Sequence, residues 1–209
     1  LLYNQSRTYY PGAYSDIPTG YVGYVGRLTY NYDKKYLIDF NVGYNGSENF
    51  APGHRYGFFP AGSVGWVMSS EEFMKPVRFI NFLKLRASYG IVGNDKYSGD
   101  RFLYMPNSWT GNNGAIYGGS YQFGPGYTSD MLTDAQEQSN GNPVVSWEKC
   151  SKQNYGLDMK MFDYRLNLVV DVFFEHRWDI LTTRNTLPSI TAVKLPLMNL
   201  GIVDNKGYE

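Results

Sequence analysis

Apolar and polar residues alternate along most of this chain, and the alternation is cleanest between Tyr155 and Val172. With Asp163-Tyr164 as a two-residue turn, Met161 pairs with Leu166, Met159 with Leu168, Leu157 with Val170 and Tyr155 with Val172. Side chains on a strand point alternately to opposite faces, so these eight share one side. Gly156, Asp158 and Lys160 share the other side with Asn167, Val169 and Asp171. The pattern predicts a hairpin with one apolar and one polar face.

The same rhythm recurs upstream. A strand at about 21–32 sets Leu28, Tyr30 and Tyr32 against Arg27, Thr29 and Asn31. A second sets Tyr36, Ile38, Phe40, Val42 and Tyr44 against Leu37, Asp39, Asn41 and Gly43. A three-residue turn at Asp33-Lys34-Lys35 pairs Tyr32 with Tyr36 and Tyr30 with Ile38, which puts both apolar rows on one side. A third strand is expected at about 58–68, with Val64, Trp66 and Met68 on its apolar face. A fourth alternates Leu83, Leu85, Ala87 and Tyr89 with Lys84, Arg86 and Ser88. Between them, Ser69 and Glu72 fit a capping box, and the spacing predicts a short helix over Glu71–Phe82, interrupted at Pro76. Residues 1–20, 45–57, about 92–146 and 179–200 read as loops, and a seventh strand is expected to begin near Gly201.

The connections alternate between short and long, and aromatic residues gather near the strand ends. Bacterial outer-membrane barrels have this asymmetry, with tight turns on the periplasmic side and long loops outside. Tyr and Trp rings suit the membrane boundary, because an apolar body and a polar tip are both satisfied there. The expected fold is therefore all-β: an antiparallel transmembrane β-barrel wall of about six or seven strands, with an extracellular loop at about 92–146. Tyr155, Leu157, Met159, Met161, Leu166, Leu168, Val170, Val172, Ile38, Phe40 and Val42 would face lipid. Asp39, Asn41, Lys84, Arg86, Asp158, Lys160, Asn167 and Asp171 would face the lumen. The alternative is a soluble all-β carbohydrate-binding module, whose strands also alternate. Against it stand the large aromatics at the strand ends and one loop too long for a compact domain.

Composition narrows this further. The 209 residues include 20 Tyr and 23 Gly, yet only 18% are charged, and no run approaches the roughly 18 apolar residues of a membrane helix. Nineteen basic residues balance nineteen acidic ones, which gives no basic footprint for nucleic acid. A lone Cys150 excludes an internal disulfide framework. The two histidines, His54 and His176, lie in different elements without metal-ligand spacing. Asp158 and Asp171 fall diagonally on the polar face with Lys160, an arrangement suited to wetting and salt bridging. No nucleophile elbow or phosphate loop occurs. The expectation is a non-enzyme with neither cofactor nor metal. The opening Leu1-Leu2-Tyr3-Asn4 has no signal-peptide features, and Asn205–Glu209 reads as the start of another strand, so the chain is expected to be a piece of something longer.

Several segments resemble the SusC/RagA-type TonB-dependent transporters of Bacteroidota outer membranes. GRLTYNYDKKYLIDFNVGYNGSENFAPGHRYGFFP at 26–60 looks like that family's barrel signature. VGWVMSSEEFMK at 64–75, LKLRASYGIVGND at 83–95 and WEKCSKQNYGLDMKMFDYRLNLVVDVFFEHRWDIL at 147–181 follow in the expected order. The resemblance covers roughly residues 21–95 and 147–209; the loop at 96–146 matches nothing recognisable. Cys150 stands where a small hydroxylated residue is expected.

The resemblance implies a large, plugged, 22-stranded barrel, of which these residues would be a mid-to-late portion of the wall. A plug domain and a TonB-contacting segment would lie towards the N-terminus of such a protein, outside these residues. It implies nutrient uptake across the outer membrane of a Gram-negative bacterium, energised through TonB. It also implies a SusD-like surface lipoprotein as partner and a glycan or oligopeptide as cargo. Trp109, Tyr117, Tyr121 and Tyr127, in the Gly/Asn-rich loop, are candidate substrate-binding residues because sugar rings stack on exposed aromatics. Packing of the loop on itself, or against the lipoprotein, would use the same residues.

Overall fold

The structure, a computed structural model, describes residues 1–8, 19–97, 102–105, 110–111, 121–122, 131–132, 135–136, 141–184 and 195–209. Twelve strands occur among them: β1 (Leu2–Thr8), β2 (Thr19–Tyr32), β3 (Tyr36–Ser47), β4 (Tyr56–Val67), β5 (Ile80–Asn94), β6 (Thr110–Gly111), β7 (Tyr121–Gln122), β8 (Met131–Leu132), β9 (Ala135–Gln136), β10 (Glu148–Met161), β11 (Leu166–Thr183) and β12 (Leu197–Tyr208). Eight form one antiparallel sheet in the order β1-β2-β3-β4-β5-β10-β11-β12, with the sheet left open at β1 and β12. The excursion between β5 and β10 carries two small ladders, β6 with β9 and β7 with β8.

The register follows the hydrophobic alternation. Met161 pairs with Leu166, Leu157 with Val170 and Tyr155 with Val172. Tyr32 pairs with Tyr36 and Tyr30 with Ile38. A one-residue slip in either hairpin would carry every apolar side chain to the polar face, so pattern and turn length together hold the pairing. Both turns need left-handed backbone: Asp33 and Lys34 have φ of 49° and 54°, and Asp163 and Tyr164 have φ of 53° and 67°. Lys35 N donates to Tyr32 O at 3.0 Å and Arg165 N to Phe162 O at 3.2 Å, closing each turn.

Three expectations are corrected. The opening residues are not all loop, since Leu2–Thr8 forms an eighth strand paired from Leu2↔Val25 to Thr8↔Thr19. Its sequence LYNQSRT places Gln5 and Arg7 on the same face as Tyr3, so it shows no apolar alternation from which a strand could be read. The helix expected over Glu71–Phe82 is replaced by two 3-10 turns, Met68–Ser70 and Glu72–Met74, and β5 already begins at Ile80. The capping box does not form: neither turn has a side-chain cap, and Glu72 instead pairs with Lys75 at 2.7 Å. The last strand begins at Leu197, and β11 runs on to Thr183, which shortens the expected 179–200 loop from both sides.

The buried core does not lie under the sheet. It gathers at the end bearing the long connections, where Phe50, Phe59, Leu103, Val145, Trp147 and Leu181 pack together. Phe50 and Val145 are completely buried. The ring of Phe59 lies across Gly57 and Gly93, and a side chain at either glycine would collide with it. The loops are fastened by polar contacts around this knot. Trp147 Nε1 donates to Arg55 O at 3.0 Å, Asn142 Nδ2 to Leu197 O at 2.7 Å, and Asn199 Nδ2 to Ser146 O at 2.9 Å.

Candidate functional site

The two faces of the sheet are the candidate functional surfaces, and their chemistry is opposite. On the polar face charges are matched across neighbouring strands. Arg27 pairs with Asp39, whose Oδ1 also accepts from Asn41 Nδ2 at 2.8 Å. Arg86 lies between two carboxylates, with its Nη2 2.7 Å from Asp171 Oδ2 and 3.2 Å from Asp158 Oδ1. Lys152 meets Glu175 at 2.8 Å, and Arg177 meets Glu148 at 2.9 Å. Single pairs this wet contribute about 0–1 kcal/mol each. Together they make this face a wall of matched charges. A groove of about 470 Å³ runs along it, lined by Thr29, Asn31, Asp39, Ser63, Lys84 and Asn154 among others.

On the other face Ile38, Phe40 and Val42 from β3 share one side with Val64 and Trp66 from β4. The same side takes Leu85 from β5, Tyr155, Leu157, Met159 and Met161 from β10, and Leu166, Leu168, Val170 and Val172 from β11. These side chains are open to the surroundings: Phe40 is 49% exposed, Ile38 47% and Leu168 39%. A soluble sandwich would bury such a row beneath a second sheet. Among the described residues no second sheet covers it.

Aromatic rows border this apolar band at both ends. Near the long connections, Tyr3, Tyr24, Tyr44 and Tyr56 form a ladder across β1–β4, with ring centroids 5.1, 6.5 and 5.1 Å apart. Near the short turns, Tyr32, Tyr36, Trp66 and Phe73 stand 6.4, 6.5 and 6.3 Å apart. Eight residue steps lead from Tyr36 to Tyr44, roughly 26 Å along an extended strand. Tilted by about 40°, that strand spans about 20 Å, close to the apolar band of an outer-membrane barrel. The polar tips at the short-turn end have an internal partner. Tyr36 Oη donates to Glu71 Oε1 at 2.7 Å, and Trp66 Nε1 donates to the same oxygen at 3.2 Å.

The eight residues expected to face a lumen, Asp39, Asn41, Lys84, Arg86, Asp158, Lys160, Asn167 and Asp171, all fall on the polar face. The eleven expected to face lipid fall on the apolar one. Trp109, Tyr117 and Tyr127, with the side chain of Tyr121, lie outside the described residues. His176 stacks on Trp178 at 5.5 Å, and its Nδ1 lies 2.6 Å from Asp204 Oδ1 across β11 and β12. Sequence reasoning missed the Glu71 acceptor and the Phe50–Trp147 knot. Both join elements far apart in sequence, and neither leaves a periodic trace.

Comparison with known proteins agrees with this geometry. No protein-family model matches the chain. The TonB-dependent receptor P39 of Formosa agariphila is 34% identical over 183 residues, covering 88% of this chain and 16% of that receptor. The TonB-dependent receptor SusC of Bacteroides thetaiotaomicron is 32% identical over 197 residues, or 90% of this chain and 18% of SusC. The chain belongs to the SusC/RagA-type TonB-dependent receptors. The solved RagAB peptide importer in its "closed-closed" state superposes with a TM-score of 0.74 at 26% identity, covering 92% of this chain and 19% of that one. The chain thus spans about a sixth to a fifth of the length of these TonB-dependent receptors, and its eight-stranded sheet matches part of their barrel. The open edges at β1 and β12 fit that placement, because closure is what removes edges from a barrel.

Proposed function

We propose that these residues form part of the barrel wall of a nutrient importer in the outer membrane of a Gram-negative bacterium. The cargo would be glycans or oligopeptides. A SusD-like surface lipoprotein would be the partner at the outer mouth, and TonB would supply the energy through a separate segment of the receptor. The apolar face touches lipid, the polar face wets the lumen, and the long connections shape the mouth. The part played here is passive: it shields a hydrated path from hydrocarbon. Trp109, Tyr117, Tyr121 and Tyr127 remain the candidate cargo-stacking residues of the loop.

One observation carries the reading. Among the described residues, the eight-stranded sheet has an uncovered apolar face bordered by aromatic rows at both ends, and its reverse face is laced with ion pairs. SusC and the RagAB peptide importer, both similar over most of this chain, point to the same class of protein. The test is alternate labelling along β11 in the whole receptor, in membranes. Asn167→Cys should react with a water-soluble maleimide. Leu168→Cys should resist it and instead be reached by a lipid-soluble reagent. Equal reaction of both with the aqueous reagent would remove the membrane-wall reading.

A further inference from the structure

The polar-face groove of about 470 Å³ holds one charge without a counter-charge. Of the charged residues that line it, Asp39 is paired with Arg27, and Arg86 with Asp158 and Asp171. Lys84 is the exception. Among the described residues its ammonium takes part in no ion pair or hydrogen bond. The register shows why. Lys84 stands between Val67 on β4 and Asp158 on β10, but Asp158 is taken by Arg86, the next residue on the same face of β5. The lysine stem leans the other way, over Gly65 on β4. A β-carbon on that glycine would stand 3.3 Å from Lys84 Cε and 3.4 Å from Leu37 Cβ. Gly65 thus leaves room for the stem, and Lys84 lines the groove rather than closing on Asp158.

Other polar groups of the groove are uncommitted too. Ser63, Ser88 and Asn154 stand side by side across β4, β5 and β10, and all three line it. Among the described residues their side chains make no hydrogen bond, and Asn154 Oδ1 has no donor. An ammonium has three donors and no acceptor, whereas hydroxyls and amides donate and accept. A carboxylate answers the first and a polypeptide main chain the others, so a segment carrying Asp or Glu fits the whole groove. Lys160, also on the polar face, lies outside the groove with its Nζ 5.8 Å from the centre of the Phe82 ring. Position points to the source of that segment. Lys84 lies near the short-turn end, where its neighbour Val67 donates from N to Lys35 O at 2.8 Å, away from the long connections that shape the mouth. The SusC and P39 receptors are five to six times the length matched here, so most of such a polypeptide lies outside these strands.

We propose that Lys84 and this groove receive a carboxylate from another part of the receptor's own polypeptide, lying against the lumen side of the wall. The proposal rests on the importer reading, because it needs the polar face to be the inside of a barrel. The test uses the whole receptor in outer-membrane vesicles and a water-soluble carbodiimide, which joins an ammonium to a carboxylate in direct contact with it. Digestion and mass spectrometry then identify the joined residues. Lys152 should be joined to Glu175, 2.8 Å away on the same face, which shows that the reagent reaches the lumen. Lys84 should be joined to an Asp or Glu of the same polypeptide outside residues 1–209. Lys84→Arg keeps the charge but offers no amine, so that one amide should vanish. The Lys152–Glu175 amide and the migration of a folded barrel should persist in that variant. Lys84 left free, joined only to Asp39, Asp158 or Asp171, or joined to a different molecule would overturn the proposal. Asn167 does not line the groove. A receptor that passes the Asn167/Leu168 labelling test but fails here therefore loses only this contact, while failure of the labelling removes the importer reading itself.

Discussion

Arg86 lies flat across Gly156, the residue directly opposite it on β10. A β-carbon on Gly156 would stand 2.6 Å from Arg86 Nε and 2.9 Å from its Cγ, so the glycine is what lets the guanidinium reach both Asp158 and Asp171. Without Arg86, two carboxylates on neighbouring strands would face one another with their principal counter-charge gone. The Asp171 side chain is only 19% exposed, so water replaces the lost partner poorly.

Gly156→Val should therefore destabilise the assembled barrel by about 1–3 kcal/mol, the range for leaving largely covered acceptors unsatisfied. Gly156→Ala should cost less, because the far end of an arginine can swing aside. Urea unfolding followed by the shift between folded and unfolded electrophoretic mobility measures both. If Gly156→Val is as stable as the parent, Arg86 does not depend on the glycine.

A second relationship ties the short-turn rim together and makes it sensitive to acid. The Glu71 carboxyl is held below its ordinary value of 4.5, chiefly by the hydrogen bond from Tyr36, then by that from Trp66, with Lys35 adding its charge. A carboxyl whose folded value is depressed contributes stability above its unfolded value and loses that contribution as pH falls through the folded one. The rim should thus be tightest above about pH 4.5 and loosen below it. Trp66 fluorescence should change across that window. Glu71→Gln should remove the pH dependence and leave the tryptophan in its low-pH environment at every pH. An unchanged titration in that variant would place its origin elsewhere.

These two cases show which parts of the fold the sequence could disclose. Faces and hairpin registers were legible because one side of each strand must be apolar, and a slip would reverse that side. Asp39, Arg86 and Asp171 fell on the polar face by parity alone. β1 was not legible, because Leu2–Thr8 carries polar residues on both of its faces and so shows no period of two. The segment Glu71–Phe82 misled in another way. Its helical spacing is real, but Glu71 is drawn to the rim by Tyr36 and Trp66, and Pro76 with the early start of β5 leaves room only for 3-10 turns.

Phe50 tests whether the knot at the mouth holds the loops as one body. Its ring is completely buried, 5.4 Å from Trp147 by ring centroids, and Phe59 meets Trp147 from another side at 5.2 Å. Truncating such a ring removes about 3–5 kcal/mol of local packing. Phe50→Ala should raise hydrogen exchange in residues 48–55 and 142–147, where the fastenings to Asn142 and Trp147 lie. The strand amides of the Met161–Leu166 hairpin, at the far end of the sheet, should be unaffected. Exchange that rises equally at both ends would mean that the knot and the sheet unfold as one unit.

The contrast between the faces is sharpest at Phe40 and Asn41, adjacent residues midway along β3 between Tyr36 and Tyr44. Phe40 is 49% exposed on the apolar face, whereas Asn41 donates to Asp39 on the polar one. In hydrocarbon an arginine near the midplane costs about 2–4 kcal/mol, because its charge leaves water without a partner. On a wet, charge-balanced wall the same side chain finds both water and Asp39, and substitutions of that kind usually stay within about 0.5 kcal/mol. Phe40→Arg should therefore lower stability in lipid vesicles by several times the effect of Asn41→Arg, although the two positions are neighbours. Detergent micelles, which deform around a charge, should narrow the gap without reversing it. If Asn41→Arg were the more damaging change in vesicles, the two faces would have to be exchanged, and the ion-pair ladder of Arg27, Arg86 and Arg177 would stand in hydrocarbon.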